Sequence, residues 1–103
     1  MSPPELDAVI HAEARLRVTA TLAALGVGDR LSFPRLQSLL KMTSGNLSTH
    51  LRKLEDAGYV VVTKVHEDRK PTTYLELTMT GRSAYDAYVD ALRDLVPGLS
   101  RPS

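Results

Sequence analysis

The fold is decided by one stretch, Ser44 to Val60, which reads SGNLSTHLRKLEDAGYV. Its leucines recur at i, i+4 and i+7: Leu47, Leu51 and Leu54. That spacing places them in a narrow stripe along one face of a helix. Thr43 and Ser44 can each cap the N-terminus, and Gly58 is suited to end the helix. The stretch therefore predicts a helix over about 44–57, followed by a β-branched segment.

The opposite face of this helix carries small residues and hydrogen-bond donors. Its candidate DNA contacts are Ser44, Gly45, Asn46, Ser48, Thr49, Arg52 and Lys53. Small side chains let a helix approach base edges in the major groove, hydroxyls bond bases or phosphates, and arginine pairs with guanine. The N-terminal backbone amides add an anion site, and the first acid after them is Glu55. A solvated face without function is the alternative for such a surface taken alone.

The segments around this helix predict a helix-turn-helix followed by a hairpin. Ser32 and Pro34 are suited to begin a short helix, and only two or three residues separate it from the next one. Residues 59–65 are rich in valine, and residues 72–78 alternate apolar with polar side chains. Together they predict a wing hairpin over about 59–79.

Three basic residues of the hairpin are candidate contacts to the DNA backbone or the minor groove: Lys64, Arg69 and Lys70. Arginine suits a narrow minor groove, and lysine suits phosphates. Solubilising charge on an exposed turn is the alternative. Glu67 and Asp68 favour that alternative, because they place two acids beside the two bases of the tip.

The first and last helices predict a partner chain. Residues 5–25 contain neither Pro nor Gly, so they predict a long helix. Its apolar residues do not form one clean stripe, so this helix either breaks near His11 or is covered on more than one side. Residues 80–96 predict a final helix, capped by Thr80, whose apolar stripe exceeds what the first helix can cover. The candidate dimer interface consists of Leu6, Val9, Ile10, Tyr85, Tyr88, Val89, Leu92, Leu95 and Val96. A homodimer is expected, and packing within one chain is the alternative.

Composition narrows the class of protein. The 103 residues hold 13 Lys and Arg against 12 Asp and Glu, which leaves a net charge of +1. The positive charge is concentrated in residues 33–73, where seven basic residues stand against four acidic ones. The absence of cysteine excludes disulfides, thiolate metal sites and cysteine nucleophiles. Neither a leader nor an apolar run of about 18 residues is found, so a soluble cytoplasmic chain without membrane contact is expected.

Motifs for catalysis and metal binding are absent from the sequence. It has no glycine-rich phosphate loop, nucleophile elbow or carboxylate pair with a neighbouring base. His11, His50 and His66 fall on different predicted elements, and none has a second ligand at metal spacing. A protein without enzymatic activity, metal or cofactor is expected, and His50 suits packing or a phosphate contact. The rival to DNA binding is a winged helix that contacts protein or RNA.

The same residues resemble a known family. The run Ser44 to Val60 looks like the recognition helix and following strand of winged-helix regulators of the MarR/ArsR type, and it is most similar to their small single-domain branch. Further similarities are found at Ile10–Val18, Arg69–Pro71, Leu77, Thr78 and Gly81. Such regulators often have Pro at the position of Glu13 and Gly at the position of Asp68.

The element order and the resemblance together set the expected architecture and function. The expected fold is α+β and mostly helical: a winged helix-turn-helix of three helices and a two-stranded wing, with an additional C-terminal dimerisation helix. One domain over residues 1–96 and a flexible tail over 97–103 are expected. The resemblance implies a homodimeric transcriptional regulator, expected as a repressor, that binds double-stranded DNA at a palindromic operator. Two recognition helices would lie about 34 Å apart, one turn of DNA. Such relatives often bind a small-molecule effector, and no residue here is assigned to one.

Overall fold

The computed structural model describes residues 5–99. Its elements in chain order are α1 (Glu13–Ala23), β1 (Leu31–Ser32), α2 (Phe33–Leu40), α3 (Ser44–Asp56), β2 (Val60–Glu67), β3 (Lys70–Leu77) and α4 (Met79–Leu95). The strands form one antiparallel sheet in the order β1, β3, β2. The predicted fold class, a winged helix-turn-helix with an additional C-terminal helix, is confirmed. Strand β1 was not predicted, because two residues are too few to show a period.

Side-chain caps define the two helices of the helix-turn-helix. The Ser32 side chain accepts a hydrogen bond from the Arg35 amide at 3.3 Å, which caps α2. Thr43, one of the two candidate caps, accepts from the Asn46 amide at 3.1 Å and starts α3. Each cap satisfies a backbone N–H that has no partner within the first turn of its helix.

The turn between α2 and α3 is only three residues long. It reverses through Lys41, which adopts the left-handed conformation with φ at 55°. Arg17 of α1 donates to the Leu40 carbonyl oxygen at 2.8 Å, so a cation meets the last turn of α2, where carbonyl oxygens lack helical partners. The relative placement of α2 and α3 is therefore fixed from both α1 and the turn.

The core lies between the three N-terminal helices and the inner face of the sheet. It contains Val18, Leu22, Leu36, Leu40, Leu47, Leu51, Leu54, Val60, Leu75 and Leu77. The three leucines of the α3 stripe are all buried there. Because that stripe is narrow, most of the remaining circumference of α3 faces solvent.

The wing is a regular hairpin whose pairing runs from Val60 opposite Leu77 to Glu67 opposite Lys70. Two residues close it, Asp68 and Arg69, and both have positive φ, 48° and 65°. Two-residue hairpin turns often require positive φ at both central positions, which favours Gly and Asn but which Asp also tolerates. Asp68 therefore permits the tight turn even though the resembling regulators often carry glycine there.

The N-terminal segment departs from the expected helix over residues 5–25. Helix α1 begins only at Glu13. The Asp7 carboxylate accepts hydrogen bonds from the amides of Val9 and Ile10 at 2.8 and 3.1 Å, which fold residues 7–10 into a turn. Aspartate that bonds nearby amides competes in this way with helix formation. The expected helix is therefore wrong for residues 5–12, where no helix forms, and α1 begins just after His11, the residue near which a break was one of the two expectations.

A hydrogen bond joins this N-terminal turn to the start of the wing. The Tyr59 hydroxyl donates to the second oxygen of the Asp7 carboxylate. Burial opposes ionisation of Asp7, but the bonds from Tyr59, Ile10 and Val9 outweigh it and hold the pKa of Asp7 below its ordinary value of 3.8. The same bond, with burial and the charge of Asp7, raises the pKa of Tyr59. The segment before α1 is thus attached to the chain's own fold.

Tyr59→Phe is expected to lower the free energy of unfolding by about 1–2 kcal/mol at neutral pH, because it removes a hydrogen bond to a charged group. Asp7 has a depressed pKa, so its contribution is present above pH 3.8 and is lost as the pH falls through the folded-state value. The difference between variant and wild type should therefore shrink in acid. Urea unfolding from pH 7 down to about pH 3 measures it. Tyr85→Phe is the control, and an undiminished difference in acid would argue against the bond.

Helix α4 starts at Met79 and is capped by Thr78, so the expected cap at Thr80 was wrong. The Thr78 side chain accepts from the Gly81 amide at 2.9 Å and donates to the Gly58 carbonyl oxygen at 2.7 Å. The Thr78 amide donates to the Tyr59 carbonyl oxygen at 2.9 Å. These bonds join the start of α4 to the junction between α3 and β2. Of the expected tail over 97–103, residues 100–103 lie outside the described residues.

Candidate nucleic-acid interface

The outer face of α3 is open to solvent. All seven candidate contacts on it are exposed: Ser44, Gly45, Asn46, Ser48, Thr49, Arg52 and Lys53. A Cβ built on Gly45 would meet no atom within 4 Å, so the N-terminal turn of α3 has free space in front of it. The Thr49 hydroxyl donates to the Gly45 carbonyl oxygen at 2.9 Å, which leaves its methyl group and oxygen lone pairs for an external contact.

A groove separates α3 from the wing and brings together candidate contacts from both. It encloses about 390 Å³, and Ser48 and Arg52 of α3 line it together with Lys64 of β2. Alternate residues of a strand point to the same face of the sheet, so Lys64 lies on the face that carries Val60 and Val62 and lines the groove. Apolar side chains form its floor. Glu55, the first acidic residue of α3, also lines the groove. One carboxylate therefore lies in the same groove as Arg52 and Lys64.

The two remaining wing candidates lie at the tip of the hairpin and do not line the groove. Arg69 occupies the turn itself, Lys70 follows it, and both are exposed. A hairpin with eight residues in each strand places these charges far from the core. A cation at such a tip can reach the backbone or minor groove beside a helix that occupies the major groove.

Glu67 lies on the outer face of the wing. It is one of the two acids that favour solubilising charge over a DNA contact at the tip. The Tyr74 hydroxyl donates to the Glu67 carboxylate, 3.0 Å from each oxygen. This bond, together with burial and the charge of Glu67, raises the pKa of Tyr74, against the opposing charge of Arg30. Arg30 lies over the Tyr74 ring at 4.0 Å. The sequence did not predict this arrangement, because its members come from three separate segments.

A second basic feature adjoins α3 on the side of α1. Arg15 Nη1 lies 3.4 Å from His50 Nδ1, and Arg15 Nε donates to the carbonyl oxygen of Val9. Burial, followed by the positive charges of Arg15 and Lys53, lowers the pKa of His50. Sequence reasoning considered His50 alone and missed Arg15, which lies 35 residues earlier.

The cations of the interface form no ion pairs within the described residues. Within residues 5–99 the only ion pair joins Arg93 to Asp90 at 3.7 Å, on α4. Arg52, Lys53 and Lys64 are exposed on and beside α3 without an ion-pair partner, although Glu55 lines the groove with Arg52 and Lys64. Arg69 and Lys70 at the tip of the wing are likewise without an ion pair, although Glu67 and Asp68 precede them in the chain. The net positive charge of residues 33–73, seven basic residues against four acidic ones, suits a nucleic-acid surface.

The predicted dimer residues differ widely in their exposure within a single chain. Ile10 is 0% exposed and Tyr88 is 4% exposed within a single chain, so these two assignments were wrong. Tyr88 also lies 3.0 Å from His11 Nδ1 through its hydroxyl. Five others are half-buried: Leu6, Val9, Tyr85, Val89 and Leu92. The most exposed of the predicted dimer residues are Leu95 and Val96, at 41% and 42%, and both lie at the C-terminal end of α4.

Residues 5–99 contain no group of three or more histidines, aspartates or glutamates arranged to hold a metal ion. Over the same residues, no helix has the length and hydropathy needed to span a membrane. The exposed donor-rich helix and the adjoining basic hairpin define the class: a winged helix-turn-helix DNA-binding protein.

Comparison with known proteins identifies the family. Residues 15–96 match the family model described as "Winged helix DNA-binding domain". An uncharacterised protein of Methanocaldococcus jannaschii is 31% identical over 81 residues, which cover 79% of this chain and 85% of that protein. The chain belongs to this winged-helix DNA-binding family.

Solved structures agree with this assignment. A transcriptional regulator homologue from Pyrococcus horikoshii superposes with a TM-score of 0.79 at 30% identity, over 90% of this chain and 89% of that one. MepR of S. aureus, solved in complex with DNA, shares the fold with a TM-score of 0.62 at 20% identity, over 76% of this chain and 61% of that one. The family and the fold are those of DNA-binding transcriptional regulators and not those of enzymes, and the expectation of a small winged-helix regulator is confirmed.

Proposed function

We propose that two copies of this chain bind a palindromic operator in double-stranded DNA and regulate transcription, as a repressor, by occupying it. In this proposal α3 lies in the major groove and supplies the base contacts. The wing follows the adjacent backbone, with Lys64 close to the helix and Arg69 and Lys70 at the tip. Such a regulator would act in the cytoplasm.

The observation that carries the proposal is the shared groove of α3 and β2. Arg52 and Lys64 line it from two elements, and no carboxylate lies within ion-pair distance of either in the described residues. Arg52 lies on the outer face of α3, where its fork can reach guanine. Lys64 stands on the wall formed by the wing, where a point charge suits a phosphate.

Pairing of two copies is supported by the apolar end of α4. Leu95, Val96 and Leu99 are exposed there, and Leu92 is half-buried beside them. Burying such side chains against a second copy would remove apolar surface from water, about 25 cal/mol for each Å². A two-fold axis through this end would relate two α3 helices and impose a palindrome on the operator.

Arg52→Ala is expected to lower discrimination between the operator and an unrelated duplex by about 1–3 kcal/mol, because it removes a base contact. Lys70→Ala should instead weaken binding to both duplexes equally and reduce the slope of log K against log salt by about 1. Selection from random DNA supplies the operator, and fluorescence anisotropy at about 50–200 mM salt measures both variants.

Arg52→Ala and Lys70→Ala serve as controls for each other, because each removes one exposed cation from the same surface. Unchanged binding in both variants would show that the DNA surface lies elsewhere. Selection that recovers no preferred duplex, with affinity independent of salt, would favour a winged helix that contacts protein.

A further inference from the structure

A cluster of three donor groups lies on the flank of α3 opposite the wing. We name it the α1 flank: Arg15 of α1 with His50 and Lys53 of α3. Arg15 Nη1 lies 3.4 Å from His50 Nδ1, and Lys53 follows His50 by one helical turn. Arg15 and Lys53 line one surface depression of about 390 Å³, separate from the groove beside the wing.

We propose that the α1 flank binds a backbone phosphate of the DNA strand opposite the one that the wing follows. The inference rests on the proposed function, because it requires α3 in the major groove. A helix in that groove has a sugar-phosphate backbone on each side. The wing serves one of them, and the α1 flank faces the other.

Arg15 is already held in a defined position before any ligand arrives. Its Nε donates to the Val9 carbonyl oxygen while Nη1 contacts His50. A side chain that is fixed in advance loses less conformational entropy on binding. The planar guanidinium also presents several donors at once, which suits a phosphate better than a single mobile ammonium.

The contact with Arg15 fixes the state of the His50 ring. A guanidinium only donates hydrogen bonds, so His50 Nδ1 must accept and the ring hydrogen must be on Nε2. Burial and the charges of Arg15 and Lys53 lower the pKa of His50, which keeps the ring neutral at pH 7. Nε2 lies on the far side of the ring from Arg15 and is thus a donor for a phosphate oxygen.

The charges around the α1 flank favour an anion. Asp56 lines the same depression as Arg15 and Lys53, so one carboxylate stands against two permanent cations. Within residues 5–99 no carboxylate lies within 4.0 Å of either cation. The local sum is positive, and a phosphate would meet two cations that form no ion pair with Asp56.

Arg15→Gln is expected to reduce the slope of log K against log salt by about 0.9 and to weaken binding about fivefold at about 150 mM salt. Because a phosphate carries no sequence information, the operator and an unrelated duplex should be affected equally. Arg93→Gln removes the same charge from α4 and should leave the slope unchanged. Anisotropy titrations over a salt series measure all three proteins.

Substitutions of His50 test the donor directly and spare the link between Arg15 and Val9. His50→Gln retains an N–H at the position of Nε2 and should keep wild-type affinity, whereas His50→Leu should weaken every duplex. Long-range 1H–15N correlation spectra of the imidazole at pH 7 should show the hydrogen on Nε2. In Arg15→Gln that hydrogen should be shared between both nitrogens.

The results distinguish a failure of the α1-flank proposal from a failure of the DNA-binding proposal on which it rests. A wild-type salt slope in Arg15→Gln, together with a reduced slope in Lys70→Ala, would overturn the α1 flank and leave the DNA proposal standing. Failure of the wild-type protein to bind any duplex would remove the DNA proposal itself. Thermal unfolding without DNA checks that Arg15→Gln is folded, and if it is not, equal affinities of His50→Gln and His50→Leu would overturn the inference.

Discussion

Gly81→Ala is expected to cost about 3 kcal/mol or more of unfolding free energy, because the first turn of α4 lies against the backbone of Tyr59. A Cβ at residue 81 would stand 2.2 Å from the Tyr59 carbonyl oxygen and 2.9 Å from its carbonyl carbon. Backbone atoms cannot rotate aside as a side chain does, so α4 would have to move away. Overpacking of this kind commonly costs about 1–3 kcal/mol, and occasionally more.

The cost of moving α4 is raised by the hydrogen bonds at the same junction. The Thr78 amide donates to the Tyr59 carbonyl oxygen that the new methyl group would strike, and the Thr78 hydroxyl donates to Gly58. Displacement of α4 would strain both bonds. For a domain of this size, about 3 kcal/mol corresponds to a fall in Tm of about 12 °C or more, which thermal unfolding by circular dichroism measures.

Gly45→Ala is the matched control. It is the same substitution in the first turn of another helix, and its Cβ would meet no atom within 4 Å. Alanine has the higher helix propensity, so this variant should be as stable as wild type or more stable by up to about 1 kcal/mol. Equal Tm values for the two variants would show that the close approach at Gly81 is not a constraint.

The sequence predicts α3 well because its signals are local. The leucine spacing lies within the helix, and the cap at Thr43 and the glycine at residue 58 lie directly beside it. The observed helix is Ser44–Asp56, and the predicted one was 44–57. The wing is similar, since its β-branched composition and polar turn are read within 20 residues. Where secondary structure is determined by nearby residues, pattern and propensity suffice.

Prediction fails where a distant residue decides the local conformation. Residues 5–12 have helical propensity, yet Asp7 bonds the amides beside it and is held by Tyr59, 52 residues later. Gly81 resembles any glycine near a helix start, and only the position of the Tyr59 carbonyl explains it. Tertiary contacts thus override a local preference that is worth only a few tenths of a kcal/mol per residue.

The candidate interface divides in the same way. The exposed face of α3 follows from its helical periodicity, so its residues could be named from the sequence. The partnership of Arg15 with His50 and the bond between Tyr74 and Glu67 depend on packing between elements. Periodicity shows which face of a helix is polar, but it does not show which groups of other elements stand beside that face.

Ile10→Ala is expected to lower the free energy of unfolding by about 2–4 kcal/mol, because it removes a fully buried side chain from the chain's own fold. If Ile10 packs within one chain, this loss should be the same at low and high protein concentration, and the variant should still form a dimer.

Leu95→Asp is expected to have the opposite effects. Leu95 is 41% exposed in one chain, so a charge there should leave the fold intact and oppose formation of the dimer. Sedimentation equilibrium measures the oligomeric state of both variants, and thermal unfolding at two protein concentrations measures their stability. If Ile10→Ala were a folded monomer of wild-type stability, Ile10 would instead belong to the dimer interface.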